Sequence, residues 1–397
     1  MSTLPYPAIS TKSRNLIISA TLLALFLGAL DALIMAAAMP TIVEDLGGLH
    51  IYSWVYTAYL LTRTVSLPIF GKLADIYPTK PLYIVSILIF IVASLAAGFA
   101  KSMFFLIVCR AIQGIGAGGN FALVYIVLAD ISPSEERGKV YSLGSLVWGV
   151  ASVLGPTMGG FIAAYFSWPW IFFINAPLGL LSLAGVSLFL QETREKKKNA
   201  VIDYTGALTM TITVLGLLFV FLLSGRNHEW TSPLILSLWA VTVAFGILFY
   251  KAERRATDPI LPIDFFKLRG FSVGNAAVFM SSFAIFSYFG FAPLFIQEAL
   301  GKSPVAVGTT MLALSLGWSL GSLVLGRFVH RWGTRKSSVV GAVLLAVGCA
   351  LTLTFSINTS VNTCFWVFAL VGVGMGFVSL ATVLVVQNSV DASDLGV

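Results

Sequence analysis

Long apolar runs alternate along the chain with short polar breaks that hold nearly all of its charges. Twelve runs are long enough for a helix to cross a hydrocarbon core of ~30 Å. They lie at about 16–40, 53–73, 82–100, 103–129, 140–164, 170–190, 204–224, 233–250, 272–297, 306–328, 338–356 and 363–386. The pattern predicts an all-α integral membrane protein. Composition agrees, since 58% of the residues are hydrophobic and 10% charged, against about 25% charged in a soluble domain. The first run is long enough to span and lacks a convincing small-residue cleavage site, so no cleavable leader is expected.

The distribution of positive charge orients the spans. With the N-terminus inside, nineteen Lys and Arg residues fall on the inner side, including the run Arg194-Glu-Lys-Lys-Lys198. Lys101, Arg226 and Lys302 fall outside, and Arg63 and Arg110 lie within spans. The positive-inside rule then predicts a cytoplasmic N-terminus and a multi-pass protein of the plasma (inner) membrane. The formal charge of +7 becomes a property of cytoplasmic loops, which removes the case for nucleic-acid binding.

An internal repeat predicts the architecture. GKLADIYPTK at 71–80 echoes GRFVHRWGTR at 326–335, an offset of 255. AIQGIGAG at 111–118 echoes ALVGVGMG at 369–376, an offset of 258. Spans nine to twelve are thus in register with spans one to four, as parallel halves of a transporter. Three parts follow: a six-helix bundle over 1–192, an inserted two-helix linker over 193–271, and the first four helices of a second bundle over 272–397. The chain stops at SVDASDLGV, which aligns with SPSEERGKV of the first half. The second bundle is therefore expected to be one hairpin short of a fourteen-span protein, with a natural twelve-span variant as the alternative.

Two features stand out chemically. Span five carries Gly149, Gly155, Pro156, Gly159 and Gly160 in an apolar run. Such residues weaken a soluble helix but let membrane helices approach closely, so a bent span at a helix–helix contact is expected. Three charges also lie at membrane depth: Asp31, Arg63 and Arg110. Each is costly in mid-bilayer, at least ~2.5–3.5 kcal/mol, so they are expected to compensate one another. Asp31 and Arg63 are each sixteen residues from Gly47, at the centre of the hairpin between spans one and two. Arg110 lies ~10 Å below the outer end of its helix, and all three can share one layer. The arrangement serves either as a static ion pair or as a protonation switch. A neighbouring arginine favours an ionised carboxylate, and desolvation favours the protonated form. A conformational change that separates such a pair would bind and release a proton.

These segments also resemble a known family. GVASVLGPTMGG resembles the fifth-helix signature of antiporters in the major facilitator superfamily. WPWIFFINAPLG resembles the following segment of the drug:proton antiporter branch with fourteen spans, where Pro169 replaces the usual arginine. LGALDALIMAAAMPTI, with Asp31 and Pro40, resembles that branch's first-helix motif. Arg110, in CRAIQGIGAGG, matches the superfamily's fourth-helix arginine, which the resemblance implicates in proton coupling; Arg63 has no counterpart. GKLADIYPTK resembles the loop between spans two and three, matching at Gly71, Leu73, Ala74, Asp75 and Lys80 and departing at Ile76, Pro78 and Thr79. The resemblance implies a major facilitator fold of two pseudo-symmetric bundles with two extra helices between them. It also implies a conformational gate at Gly71, Asp75 and Lys80 together with the glycines and Pro156 of span five.

Other patterns carry less. GIGAGG fits a dinucleotide fingerprint and GWSLG a hydrolase elbow, yet both sit inside spans. His50, His228 and His330 lie in loops without metal-ligand spacing, and Cys109, Cys349 and Cys364 lie in apolar runs. No metal, cofactor or catalytic group is expected. Phe279, Phe283 and Phe286 share a face of span nine, either as packing or as an aromatic wall of a cavity for lipophilic compounds. The reading is a monomeric secondary transporter, not an enzyme, whose partners are the bilayer, protons and a lipophilic small molecule exported by alternating access. A lipid or dedicated-metabolite exporter of the same fold is the nearer alternative, and a non-transporting receptor or sensor the more distant one.

Overall fold

Several helices start where a side chain takes over an orphan N–H group of the first turn. Ser10, Ser102, Ser232 and Ser360 cap α1 (Thr11–Leu46), α4 (Met103–Asp130), α9 (Pro233–Arg255) and α13 (Val361–Gln387), each accepting from the N–H three residues on. Pro133 precedes α5 (Ser134–Tyr165), whose first turn carries Glu135 and Glu136, the sign of charge that suits a helix N-terminus. The remaining helices are α2 (Trp54–Ile76), α3 (Thr79–Gly98), α6 (Trp170–Phe173), α7 (Asn175–Phe189), α8 (Tyr204–Leu223), α10 (Arg269–Leu294), α11 (Pro304–Trp332) and α12 (Thr334–Thr352). The computed structural model describes residues 10–192, 203–224, 228–302 and 304–390. The basic run Arg194–Lys198, Arg226 and the tail 391–397 lie outside the described residues, and so does the packing of Pro156 and Gly160 on α5.

Ten helices, rather than the twelve expected, meet the length and hydropathy required of a membrane span among the described residues. Helix α2 is long enough at 23 residues but falls short in hydropathy, whereas the span expected over 140–164 on α5 runs over residues outside the described ones. Arg63, Thr64, Ser66, Lys72 and Asp75 lower the hydropathy of α2. The sixth span is broken at Ile174 into α6 and α7. The two motif loops are shorter than they read. Gly71–Ile76 belong to α2 and Thr79 opens α3, so only Tyr77 and Pro78 are non-helical. In the second copy Gly333, at φ 78°, is the sole break between α11 and α12. A fixed-φ proline and a left-handed glycine thus turn the chain at equivalent positions.

The repeat is physical. A Cβ at Gly114 would lie 2.4 Å from the Tyr59 carbonyl oxygen, and one at Gly372 would lie 2.1 Å from that of Leu314. Gly118 meets Arg63 O as Gly376 meets Trp318 O, and Gly116 meets Phe90 N as Gly374 meets Leu345 N. Every partner pair is separated by the offset of 255. In each half one helix therefore presents two glycines to its first neighbour and one to its second, and no larger residue allows these backbones so close. Gly372→Ala is expected to cost ~1–3 kcal/mol through overpacking. The readout is a lower melting temperature of the full chain in detergent; unchanged melting would mean that α11 yields freely.

Helices α1, α4, α5 and α7 pack together, with α2 and α3 on α4. In the second half, α10, α11 and α12 all pack on α13. The pair α8–α9 packs on itself and touches α2 through α8. The halves join through α5 against α11 and α13. These contacts cluster at the end that carries the α2–α3 and α4–α5 turns. There Gly138 faces Val329, Gly326 faces Ser142, and Leu325, Val329, Leu380 and Leu384 complete a core shared with the first half.

Candidate functional site

Asp31 sits inside the first bundle with no solvent exposure, and so does Arg110. The guanidinium donates from Nη1 to Asp31 Oδ2 at 2.6 Å and to Gln113 Oε1 at 2.8 Å. Gln113, one turn along α4, donates from Nε2 to Asp31 Oδ1 at 2.9 Å. The break between α6 and α7 supplies the remaining partner. Asn175, the first residue of α7, donates from Nδ2 to Asp31 Oδ1 at 3.0 Å and to Ser94 Oγ at 3.0 Å. The Ser94 hydroxyl in turn donates to the Phe172 carbonyl at 2.9 Å, a group that the helix break frees. The Tyr59 ring covers the guanidinium, with 4.1 Å from Cζ to the ring centroid. One carboxylate thus ties α1 to α4 and α7, and α2 closes the site. Charge-assisted bonds in so dry a place are strong, and losing one partner leaves the others costly.

Arg63 is not brought to Asp31. It is half-buried, and its Cζ stands 5.0 Å from the Phe121 ring centroid and 5.5 Å from that of Trp148. The layer anticipated for three charges therefore holds two, with Gln113, Asn175 and Tyr59 completing it. The i, i+3 spacing of Gln113 from Arg110 and the lone Asn175 in an apolar run were the available signals for these partners.

The motif on span five places Gly149 against the second half and Gly155 against the first. A Cβ at 149 would lie 2.2 Å from Ser319 Oγ, which donates to the Ser145 carbonyl at 2.8 Å. A Cβ at 155 would lie 2.7 Å from Leu33 Cβ on α1. Gly159 is buried. Helix α5 is thus gripped on both sides, at different heights. Within the following segment, Trp168 Nε1 donates to Asp45 Oδ2 at 2.7 Å, anchoring the turn after α5 to the end of α1.

At the end bearing the α2–α3 turn, Gly71 and Asp75 are buried in the last turns of α2. The Lys80 N–H donates to Glu192 Oε2 at 3.3 Å, filling an orphan position of α3. Lys72, beside Gly71, forms an ion pair of 2.7 Å with Asp258, just after α9, and its side chain is 4% exposed. This clasp between the inserted pair and α2 is not evident from sequence, because the partners are separated by 186 residues. Lys72→Gln should remove the charged partner of Asp258 and cost ~1–3 kcal/mol, read as a melting temperature below that of Lys80→Gln. Equal melting of the two variants would show that the clasp adds no stability.

Phe279, Phe283 and Phe286 lie on an exposed face of α10, at 65%, 72% and 64% exposure. More than half of the surface of each of these residues is open to the surroundings.

Two helical halves, internally repeated and joined at one end, with a fully buried ion pair in the first half, define a membrane transporter rather than an enzyme. Residues 21–397 match the Major Facilitator Superfamily, and the chain belongs to that superfamily. It is 35% identical over 384 residues to the multidrug transporter protein MdtP of Bacillus subtilis, covering 97% of this chain and 71% of that protein. It is 32% identical to multidrug resistance protein 3 of the same organism, covering 92% and 71% of the two chains. It is 30% identical to efflux pump FUS6 of Gibberella moniliformis, covering 100% and 72%. The solved structure of the proton:xylose symporter XylE superposes with a TM-score of 0.68 at 13% identity, over 97% of this chain and 84% of that one. The human organic anion transporter MFSD10 gives a TM-score of 0.65 at 16% identity, over 96% and 89%. At such identities these two likenesses establish the fold alone.

Proposed function

We propose that the chain is a proton-coupled exporter of lipophilic compounds, of the drug:proton antiporter branch with fourteen spans. The observation that carries this reading is the Asp31 carboxylate, fully buried and held by donors from two helices beyond its own. Protonation removes the charge that attracts Arg110 and weakens its bond, so proton uptake biases how α1, α4 and α7 pack. Relatives named as multidrug transporters and efflux pumps support the direction and the substrate class.

In this reading 1–192 and 272–397 are the moving halves and 193–271 is a linker held to the first half by Lys72. The N-terminus is cytoplasmic, the protein acts as a monomer in the plasma membrane, and α5 with Gly149 and Gly155 is the pivot of the gate. The cytoplasmic side is closed in the state described, because the halves meet at the end assigned to the cytoplasm. The exposed phenylalanines of α10 are assigned to a cavity wall completed in other states of the cycle. The test is transport of a panel of lipophilic dyes by the full chain in sealed vesicles under an imposed pH gradient. Export should depend on the gradient and collapse with an ionophore; gradient-independent movement of every dye would overturn the reading.

A further inference from the structure

Arg63 is the intramembrane charge that the Asp31 network does not use. Among the described residues it forms no ion pair, and its charge rests between the Phe121 and Trp148 rings. It lines a recess of about the size of one water between α1, α2 and α4, together with Asn120, Phe121 and the small or apolar Ala24, Leu25 and Gly28, so a larger ligand would need these helices to part. Asn120 is 2% exposed. Its side-chain oxygen lies 2.7 Å from Ser86 Oγ, and Nδ2 has no partner, so the amide offers an unpaired polar atom within the bundle.

The side chain at position 63 is not dictated by helix packing. The Arg63 carbonyl lies under Gly118 as that of Trp318 lies under Gly376 in the second half. The repeat-related position therefore packs equally well with an indole, whose Nε1 donates to Ser379 Oγ at 3.1 Å. The first half alone puts a guanidinium there. An arginine without a carboxylate partner at membrane depth is costly and marks a functional position. Ring faces stabilise its charge and the Tyr59 side chain is its hydrogen-bonding neighbour, which leaves further N–H groups of its five-donor fork for a ligand.

We propose that Arg63 is the recognition residue of a subsite for lipophilic organic anions. The planar fork takes the anionic head bidentately, the apolar body lies against Phe121 and Trp148, and Asn120 supplies a further polar contact. The proposal rests on the exporter reading and narrows its substrate class. A cationic compound would meet an unneutralised positive charge at the same place.

The test is equilibrium binding to the full chain in lipid nanodiscs, with empty discs subtracted. The probes are 1-pyrenebutyrate and its methyl ester, which differ in charge but share the apolar body. The unmodified protein should prefer the anion. Arg63→Gln should reduce the ratio of anion to ester affinity by on the order of ten- to a hundredfold, the range of a hydrogen bond to a charged group. Arg63→Lys should keep part of the preference, since it retains the charge without the fork. If Arg63→Gln does not fold, Arg63→Lys decides alone, through a ratio between that of the unmodified protein and unity. An unmodified protein without preference, or a ratio unchanged in the variants, would overturn the proposal. So would equal loss of both probes in Arg63→Gln and Arg63→Lys, which would make the residue structural. Binding needs no pH gradient, so a failure of proton-driven export leaves this outcome readable.

Discussion

Asp31→Asn is expected to bring proton-driven export to background while leaving part of the substrate binding intact. Asparagine keeps the size of aspartate but cannot take up and release the proton. Its amide also faces the wrong partners. Three donors converge on Asp31, from Arg110, Gln113 and Asn175, and an Asn Nδ2 would put a fourth donor in place of one of the two acceptor oxygens. Arg110 would remain fully buried without its counter-charge, and breaking such a pair costs ~3–5 kcal/mol. Folded yield therefore has to be measured first. Asp31→Asn with Arg110→Gln separates the two effects. The neutral pair should regain much of the stability without any recovery of coupled export, a non-additivity expected of residues in direct contact. Asp31→Glu keeps a carboxyl group and should retain some export, reduced because an added methylene in a filled site costs ~1–3 kcal/mol. The measurements are dye export driven by a pH gradient and the pH dependence of dye binding. Export by Asp31→Asn at the unmodified rate, with the same proton dependence, would reduce the network to a structural tie between α1, α4 and α7.

How this network could and could not be read beforehand follows from what a sequence encodes. A charge in an apolar run is conspicuous because it is costly, so Asp31 and Arg110 declare themselves. Gln113 and Asn175 are neutral and cheaper to bury, so they do not stand out until a partner is known. Arg63 stands apart from Asp31 for a geometric reason. Counting outward from Gly47 treats the hairpin as symmetric, whereas α1 runs to Leu46 and α2 begins only at Trp54. Tyr59, one turn earlier on the same face of α2, holds the position over Arg110, and Arg63 falls one turn further along. The repeat was legible because close helix packing demands glycine at fixed spacing, and 114, 116 and 118 recur as 372, 374 and 376. The Lys72–Asp258 clasp was not, since nothing local links its two partners. Motif boundaries were blurred for a related reason: amino-acid type marks where a membrane ends, while helices continue beyond it, as α2 does through Gly71–Ile76.

Joining Gly138 to Val329 by a disulfide is expected to arrest export, and a reductant is expected to restore it. Gly138 lies in the first turns of α5 and Val329 near the end of α11, so the link would hold the two halves together. Val329 Cγ1 stands 2.6 Å from the Cβ position of residue 138. The two Cβ atoms are then at most one C–C bond further apart, a distance compatible with the ~3.5–4.5 Å of a disulfide. The cysteine on α5 also brings a Cβ into a tight contact, while Val329→Cys removes the methyl group that it would meet. Cys109, Cys349 and Cys364 are replaced by alanine first, so that only the new pair can react. Before oxidation the double variant should export dye, because a thiol pair allows the halves to part. After oxidation, export should fall to background if transport requires this end to open, since a covalent bond does not yield to the few kcal/mol that separate conformers. Oxidation of either single cysteine variant should have no such effect. The measurement is pH-gradient-driven dye export before oxidation, after it and after reduction, with the extent of cross-linking read by protease cleavage between residues 138 and 329. Undiminished export by fully cross-linked protein would show that α5 and α11 need not separate at this end, and the halves would then have to work by a motion that leaves Gly138 against Val329 throughout.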